Sequence, residues 1–158
     1  MGKSMKSDAE FMQQLFQEIP LVQAMQLQSL QFDGQFLELK VPLAPNLNDK
    51  GTAFGGSLAA LATLAGWCLT TRYLHKQGWE AEVVVVKSEI QYLAPVTRAF
   101  TAQAKLPNEA LVQAFTQSFS ERGRARWTLE VLVEEAGQRA FVLTGEYLAR
   151  VRPRLEAA

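Results

Sequence analysis

Residues 46–57 read Asn-Leu-Asn-Asp-Lys-Gly-Thr-Ala-Phe-Gly-Gly-Ser, and they hold the residue types and spacing best suited to chemistry. Gly55 and Gly56 stand where a long uncharged run begins. If that run is a helix, its first backbone N–H groups have no partner within it. Those donors, together with the positive end of the helix dipole, suit a carbonyl oxygen or a developing oxyanion. Glycine also lets a substrate come close to the backbone. Asn48, a few residues earlier, has an amide able to bond a carbonyl or an attacking water. Taken alone, the glycine pair reads more readily as a flexible turn into a helix.

Other residues invite a role and a plainer reading at once. Tyr92, Trp67 and Trp127 can line an apolar tunnel, although large aromatics are core residues first. Arg122, Arg124 and Arg126 alternate onto one side of an expected strand start, where they would meet phosphates or simply face water on an edge strand. His75 lies 19 residues beyond Gly56, roughly 28 Å along a helix. It cannot reach the helix start of its own chain, and it is expected to meet the last carbonyls of that helix. Cys68 sits mid-run among apolar neighbours and reads as packing.

Several elements must position these groups. Ser7 to Glu10 has the spacing of a capping box, and Phe11, Leu15 and Ile19 then recur on one helical face up to Pro20. Alternating segments follow at 25–32 and 37–43, with Asp33-Gly34 as a two-residue hairpin signal. Pro42, Pro45, Asn46 and Asn48 mark a loop. From Phe54 to about Gln77, with Gly78 as its stop, a helix carries Leu58, Leu61, Leu64, Ala65 and Cys68 around most of its circumference. A helix apolar nearly all round is surrounded by protein. Strand patterns cover 83–86 with 90–92, and 96–106. Asn108 is placed to cap a helix carrying Leu111, Phe115 and Phe119. A last hairpin joins 124–134 to 139–151 around Ala136-Gly137, with Ala125, Trp127, Leu129, Val131 and Val133 inward. The expectation is an α+β domain, a curved antiparallel sheet wrapped around a long buried central helix.

Composition narrows the classes. The 158 residues fit one domain spanning 1–158, with an N-terminal helix in 1–20 and the core in 21–151. Lys+Arg and Asp+Glu are both 16, so no global charge draws the chain to nucleic acid or an anionic membrane. One cysteine excludes an intrachain disulfide, and one histidine excludes a multi-histidine metal site. The start at 1–7 has no apolar stretch after it, and the run 53–71 is too rich in glycine and alanine for a membrane helix. A cytoplasmic location is expected.

The order Asn48, Gly51, Gly55-Gly56, a long apolar helix and then Tyr92-Leu93-Ala94-Pro95 resembles the hotdog-fold acyl-CoA thioesterases. The relatives of the phenylacetate-pathway enzymes carry Asn-x-x-Gly-x-x-His-Gly-Gly there. A closer resemblance is to the thioesterase domain that some bacteria carry fused behind an acetyltransferase, with Gly-Thr-x-Phe-Gly-Gly-Ser matching 51–57. Arg122 to Ala125 and the hairpin 138–149 are similar to the end of that fold, and the resemblance spans about 20–151. It implies a homodimer that hydrolyses an acyl thioester of coenzyme A or of acyl carrier protein, with no metal and no cofactor beyond the coenzyme A of its substrate. Asn48, Gly55 and Gly56 would then act on the carbonyl. Phe54, Ser57, Tyr92, Arg122 and Arg124 would contact the substrate.

Two departures stand out. Phe54 occupies the place of the family's histidine. The acidic residue those enzymes carry about eight positions beyond the first glycine falls here on Thr63, and a threonine hydroxyl alone cannot abstract a proton from water. Asp49 and Glu89 are the nearest acidic substitutes, although Asp49 also reads as a turn residue and Glu89 as a solvated charge beside Lys87. The missing acid keeps a non-catalytic acyl-CoA-binding or sensing module open as the alternative, and a purely structural dimerisation domain as a third class.

Overall fold

In the computed structural model, which describes residues 5–152, Ser7 accepts the Glu10 N–H at 3.1 Å and starts α1 (Asp8–Glu18). The expected polar start at 1–4 lies outside the described residues. As the sequence reading expects, α1 stops just short of Pro20; what that reading leaves out is the further role of this proline. It opens a second short helix, α2 (Pro20–Met25), because proline at a first helical position costs no hydrogen bond. Val22 and Met25 are buried by it, so the strand expected from 25 starts later.

The sheet is built from β1 (Ser29–Phe32), β2 (Phe36–Val41), β3 (Ala81–Tyr92), β4 (Phe100–Lys105), β5 (Arg124–Glu135) and β6 (Gln138–Val151). Its order is β1-β2-β4-β5-β6-β3, and every pairing is antiparallel. The first hairpin has a three-residue loop, 33–35, and not the expected two. Asp33 accepts the N–H groups of Gln35 and Phe36, and Gly34 takes φ +102°. Strand β4 is shorter than the 96–106 expected. The long helix α3 (Gly55–Lys76) packs on the inner face of the sheet, and α4 (Glu109–Arg122), capped by Asn108, covers the end beside it. The predicted inward residues of β5 are all buried.

Three features set the surroundings of α3. First, α1 is anchored to α3 by Arg72, whose buried guanidinium donates to the Lys6 carbonyl and to Asp8 and lies 4.9 Å from the Phe11 ring centre. Second, α3 is buried on most sides but keeps a partly exposed stripe at Gly56, Ala59, Ala60, Thr63 and Trp67. Third, β3 is one continuous strand at the sheet edge, with a bulge at Val86. Register passes from Val85 opposite Tyr147 to Lys87 opposite Glu146. One extra residue flips everything after it to the other face. Ser88, Ile90 and Tyr92 therefore join Val83 and Val85 on the helix side, while Lys87, Glu89 and Gln91 face away.

The middle of α3 owes its closeness to the sheet to Gly66. A Cβ there would overlap the Tyr147 ring, whose hydroxyl donates to the Thr63 carbonyl at 2.9 Å. Gly66→Ala is expected to destabilise the fold by ~1–3 kcal/mol through overpacking, against the ~1 kcal/mol that alanine ordinarily gains in a helix. Thermal unfolding should show a melting point lower by several degrees; an unchanged or higher one would contradict this packing. Among the described residues no helix is long and apolar enough to cross a membrane.

Candidate functional site

The loop before α3 is held by two asparagines. Asn48 accepts the N–H groups of Lys50 and Thr52 on its Oδ1, at 2.8 and 3.1 Å, and donates through Nδ2 to Thr52 Oγ1 at 2.7 Å and the Ala53 carbonyl at 3.4 Å. Both ends of this amide are spent inside the loop, in an Asx turn that Gly51 completes with φ +79°. The amide expected to bond a carbonyl or a water is thus engaged within its own loop in one protomer.

Asn46 does the matching work below. Only 1% exposed, its side chain donates to the carbonyls of Met25 and Pro42, and its backbone carbonyl accepts the Phe54 N–H at 2.7 Å. It thereby joins the end of α2, the end of β2 and the entry to α3. In the sequence Asn46 reads only as a loop marker, because nothing local reveals that its side chain is buried against the carbonyl of Met25, 21 residues away, as well as that of Pro42.

Phe54 is the N-cap of α3 and offers no side-chain cap. Leu58 is the residue whose N–H closes the first turn, onto the Phe54 carbonyl at 3.1 Å. The N–H groups of Gly55, Gly56 and Ser57 precede that first bond and are the free donors of the helix start. The half-exposed Phe54 ring lies over Gly56, at a spot a Cβ would occupy. Tyr92, stacked edge-on against Phe141, brings its hydroxyl to 3.5 Å from the Gly55 carbonyl. Asn48, Gly55 and Tyr92, with Leu93 and Pro95, line one cavity of about 380 Å³. Such a constellation can polarise a carbonyl with backbone donors that have no acceptor within the helix.

The remaining sequence candidates are placed elsewhere. Thr63 lines a different cavity, of about 370 Å³, between α2, α3 and β3. Eight residues of helix separate it from Gly55, about 12 Å, so sharing a face does not make it part of the same site in one protomer. Asp49 is 81% exposed and paired with Lys50 at 3.0 Å. Glu89, opposite Thr144, is on the sheet face turned away from α3, because of the bulge at Val86.

Arg122 ends α4, so it does not share a strand side with Arg124 and Arg126 as the alternation implied. Arg126 is paired with Glu146 at 2.9 Å, and this end of β5 lies far along the sheet from Tyr92. Trp127 is a core residue donating to Thr70, whereas Trp67 lines the Thr63 cavity. Cys68 is fully buried, and burial pushes its thiol well above the ordinary range, as a packing residue requires. His75 packs edge-on against Phe11 instead of bonding terminal carbonyls, and burial holds its pKa below the usual value.

Comparison with known proteins adds the family. The family model described as "Putative thioesterase (yiiD_Cterm)" matches residues 8–151. The crystal structure of a putative thioesterase from Shewanella oneidensis is 30% identical, with a TM-score of 0.81, covering 92% of this chain and 97% of that one. A protein of unknown function from Chlorobaculum tepidum is 29% identical, with a TM-score of 0.84 and coverage of 92% and 94%. A thioesterase from Haemophilus influenzae shares the fold at 18% identity, with a TM-score of 0.70 over 98% of this chain and 99% of that one.

Proposed function

The chain belongs to this putative thioesterase family and has its hotdog fold, and from that premise we propose that it hydrolyses an acyl thioester of coenzyme A or of acyl carrier protein to a free acid and a thiol. The observation that carries the reading is the uncapped start of α3, open to the cavity shared by Gly55, Asn48 and Tyr92. The thioester oxygen accepts hydrogen bonds from the Gly55 and Gly56 N–H groups. A water oxygen attacks the polarised carbonyl carbon, the C–S bond breaks, and the thiolate leaves and takes up a proton. Asn48 keeps the loop in the shape that aims these donors. With a threonine at 63, carbonyl polarisation and positioning carry the rate, so turnover is slow for this fold.

The complete site takes two copies. Among the described residues strand β3 is paired on one side only, by β6, and Val84, Val85 and Val86 are 51%, 39% and 45% exposed along its middle. A long apolar edge of this kind demands a partner strand. Pairing two β3 edges about a two-fold axis continues the sheet. Tyr92, at one end of β3, touches the glycine turn, whereas Trp67 bonds to Val83 near the other end. The axis reverses that order, so the glycine turn of one copy approaches the stretch of α3 carrying Thr63 and Trp67 in the other. Sedimentation equilibrium at micromolar concentration is expected to give a dimer; a well-folded monomer would overturn the shared site.

The second reading, a non-catalytic acyl-CoA-binding module, is favoured by the absence of a carboxylate at Thr63. Release of free thiol from acyl-CoA esters separates the two. Many equivalents per protomer are expected, and saturable binding without release would assign the module instead.

A further inference from the structure

The direction in which Tyr92 points is decided by one residue. The extra residue at Val86 flips the end of β3, so the Tyr92 ring stands on the α3 side of the sheet and not on the outer face with Gln91. Phe141, opposite it on β6, holds the ring edge-on with 5.3 Å between ring centres. The ring then lies against Gly55, where a Cβ would stand only 3.1 Å from its Cε1 atom, so this approach needs a residue without a side chain. Bulges beside binding sites often re-aim a side chain, and this one aims a phenol at the start of α3.

The hydroxyl at the tip of that ring has no settled partner. Its one hydrogen-bond contact among the described residues is the Gly55 carbonyl at 3.5 Å, the long limit for such a bond. That carbonyl stands in the first turn of α3, where the N–H four residues on is its helical partner, so it does not depend on the phenol. Of the residues lining the cavity at the glycine turn, Asn48 engages its amide in its own loop, and the others are apolar or glycine. Tyr92 therefore carries the one side-chain donor there that is free to turn.

We propose that the Tyr92 hydroxyl is a catalytic hydrogen-bond donor, turning from the Gly55 carbonyl to the thioester oxygen held by the first N–H groups of α3. The inference rests on the thioesterase reading above and deepens it. As water adds to the carbonyl carbon, negative charge gathers on this oxygen, and a hydrogen bond to a charged acceptor is about twice as strong as one to a neutral acceptor. The phenol thus stabilises the transition state more than the bound ester, and its effect falls on kcat more than on KM. Its proton stays on the phenol oxygen throughout. A ring that only lines the entrance predicts otherwise, because phenylalanine would serve as well.

The test is Tyr92→Phe, which keeps the ring against Phe141 and removes the oxygen alone. On octanoyl-CoA, kcat should fall by about tenfold to a hundredfold while KM stays within about twofold, with the melting point unchanged. The direct readout is the infrared band of the bound ester's carbonyl, labelled with a heavy carbon isotope. A hydrogen bond weakens the C=O bond and lowers its stretching frequency. On the wild type the band should lie below that of the free ester, and on Tyr92→Phe it should move back up toward it. Equal kcat in the two proteins, or a fall in kcat with the band unmoved, overturns the proposal and leaves the hydrolase reading intact. If the wild type releases no thiol, the hydrolase reading fails separately and the band alone decides. A shift on Tyr92→Phe then upholds the hydroxyl as the carbonyl's partner, and no shift overturns it.

Discussion

Thr63→Asp is expected to raise kcat/KM by about 10²–10⁴-fold, the usual contribution of a well-placed general base. A threonine hydroxyl alone cannot take a proton from water, and within one protomer the neighbouring acids stand away from it. Asp49 is in solvent with Lys50, and the Val86 bulge turns Glu89 away from the helix. An aspartate at 63 would stand where the glycine turn of a second copy arrives in the paired assembly. Its carboxyl would be raised by the apolar wall around it, because burial disfavours the charged form. A base works when deprotonated, so the gain should grow as pH rises through that raised pKa and fade below it. The substitution also costs stability, moderated by the partial exposure of Thr63. Thr63→Ala is the control and should change kcat/KM by no more than a few-fold. If Asp and Ala both fall steeply from a fast wild-type rate, the base lies elsewhere and the slow-enzyme account is wrong.

Much of this architecture is legible in the sequence where the signal is periodic and local. The apolar circumference from Leu58 to Cys68 specified a buried helix, and the alternation of Ala125, Trp127, Leu129, Val131 and Val133 specified the inner face of β5. The capping residues Ser7 and Asn108 marked two helix starts. What escaped depends on contacts distant in the chain. Pro20 reads as a stop or a start with equal ease until the burial of Val22 and Met25 decides it. Val86 looks like any other valine in its run. Only pairing with β6 makes it a bulge, and that one residue determines which side of the sheet Glu89 and Tyr92 occupy.

The site was legible as a segment and not as a geometry. The Gly55-Gly56 pair did fall at the first turn of α3, and the cavity there does gather Asn48 and Tyr92. The bonds Asn48 makes could not be read, since an exposed amide and one spent on its own loop have the same local sequence. Counting residues places Thr63 eight positions beyond the first glycine, but along a helix that spacing spans a distance no side chain bridges. In the proposed dimer, pairing of the exposed β3 edges would reconcile the two by bringing a second helix to the first.

Whether the first N–H groups of α3 hold the thioester carbonyl is decided by comparing kcat of Gly55→Pro and Gly55→Ala with that of wild type. Proline at the first helical position deletes one donor and spares the helix, since that N–H has no helical acceptor to lose. Phe54 already holds φ −65°, ψ 130°, the extended backbone that a following proline requires. Both variants add a Cβ, which would meet the Tyr92 ring at 3.1 Å, and only proline removes the N–H. If these N–H groups bind the carbonyl, proline should lose about 10²–10³-fold in kcat beyond any loss for alanine, with melting points of the two variants close together. Equal kcat for Gly55→Pro and Gly55→Ala, in folded proteins of equal stability, would contradict that binding.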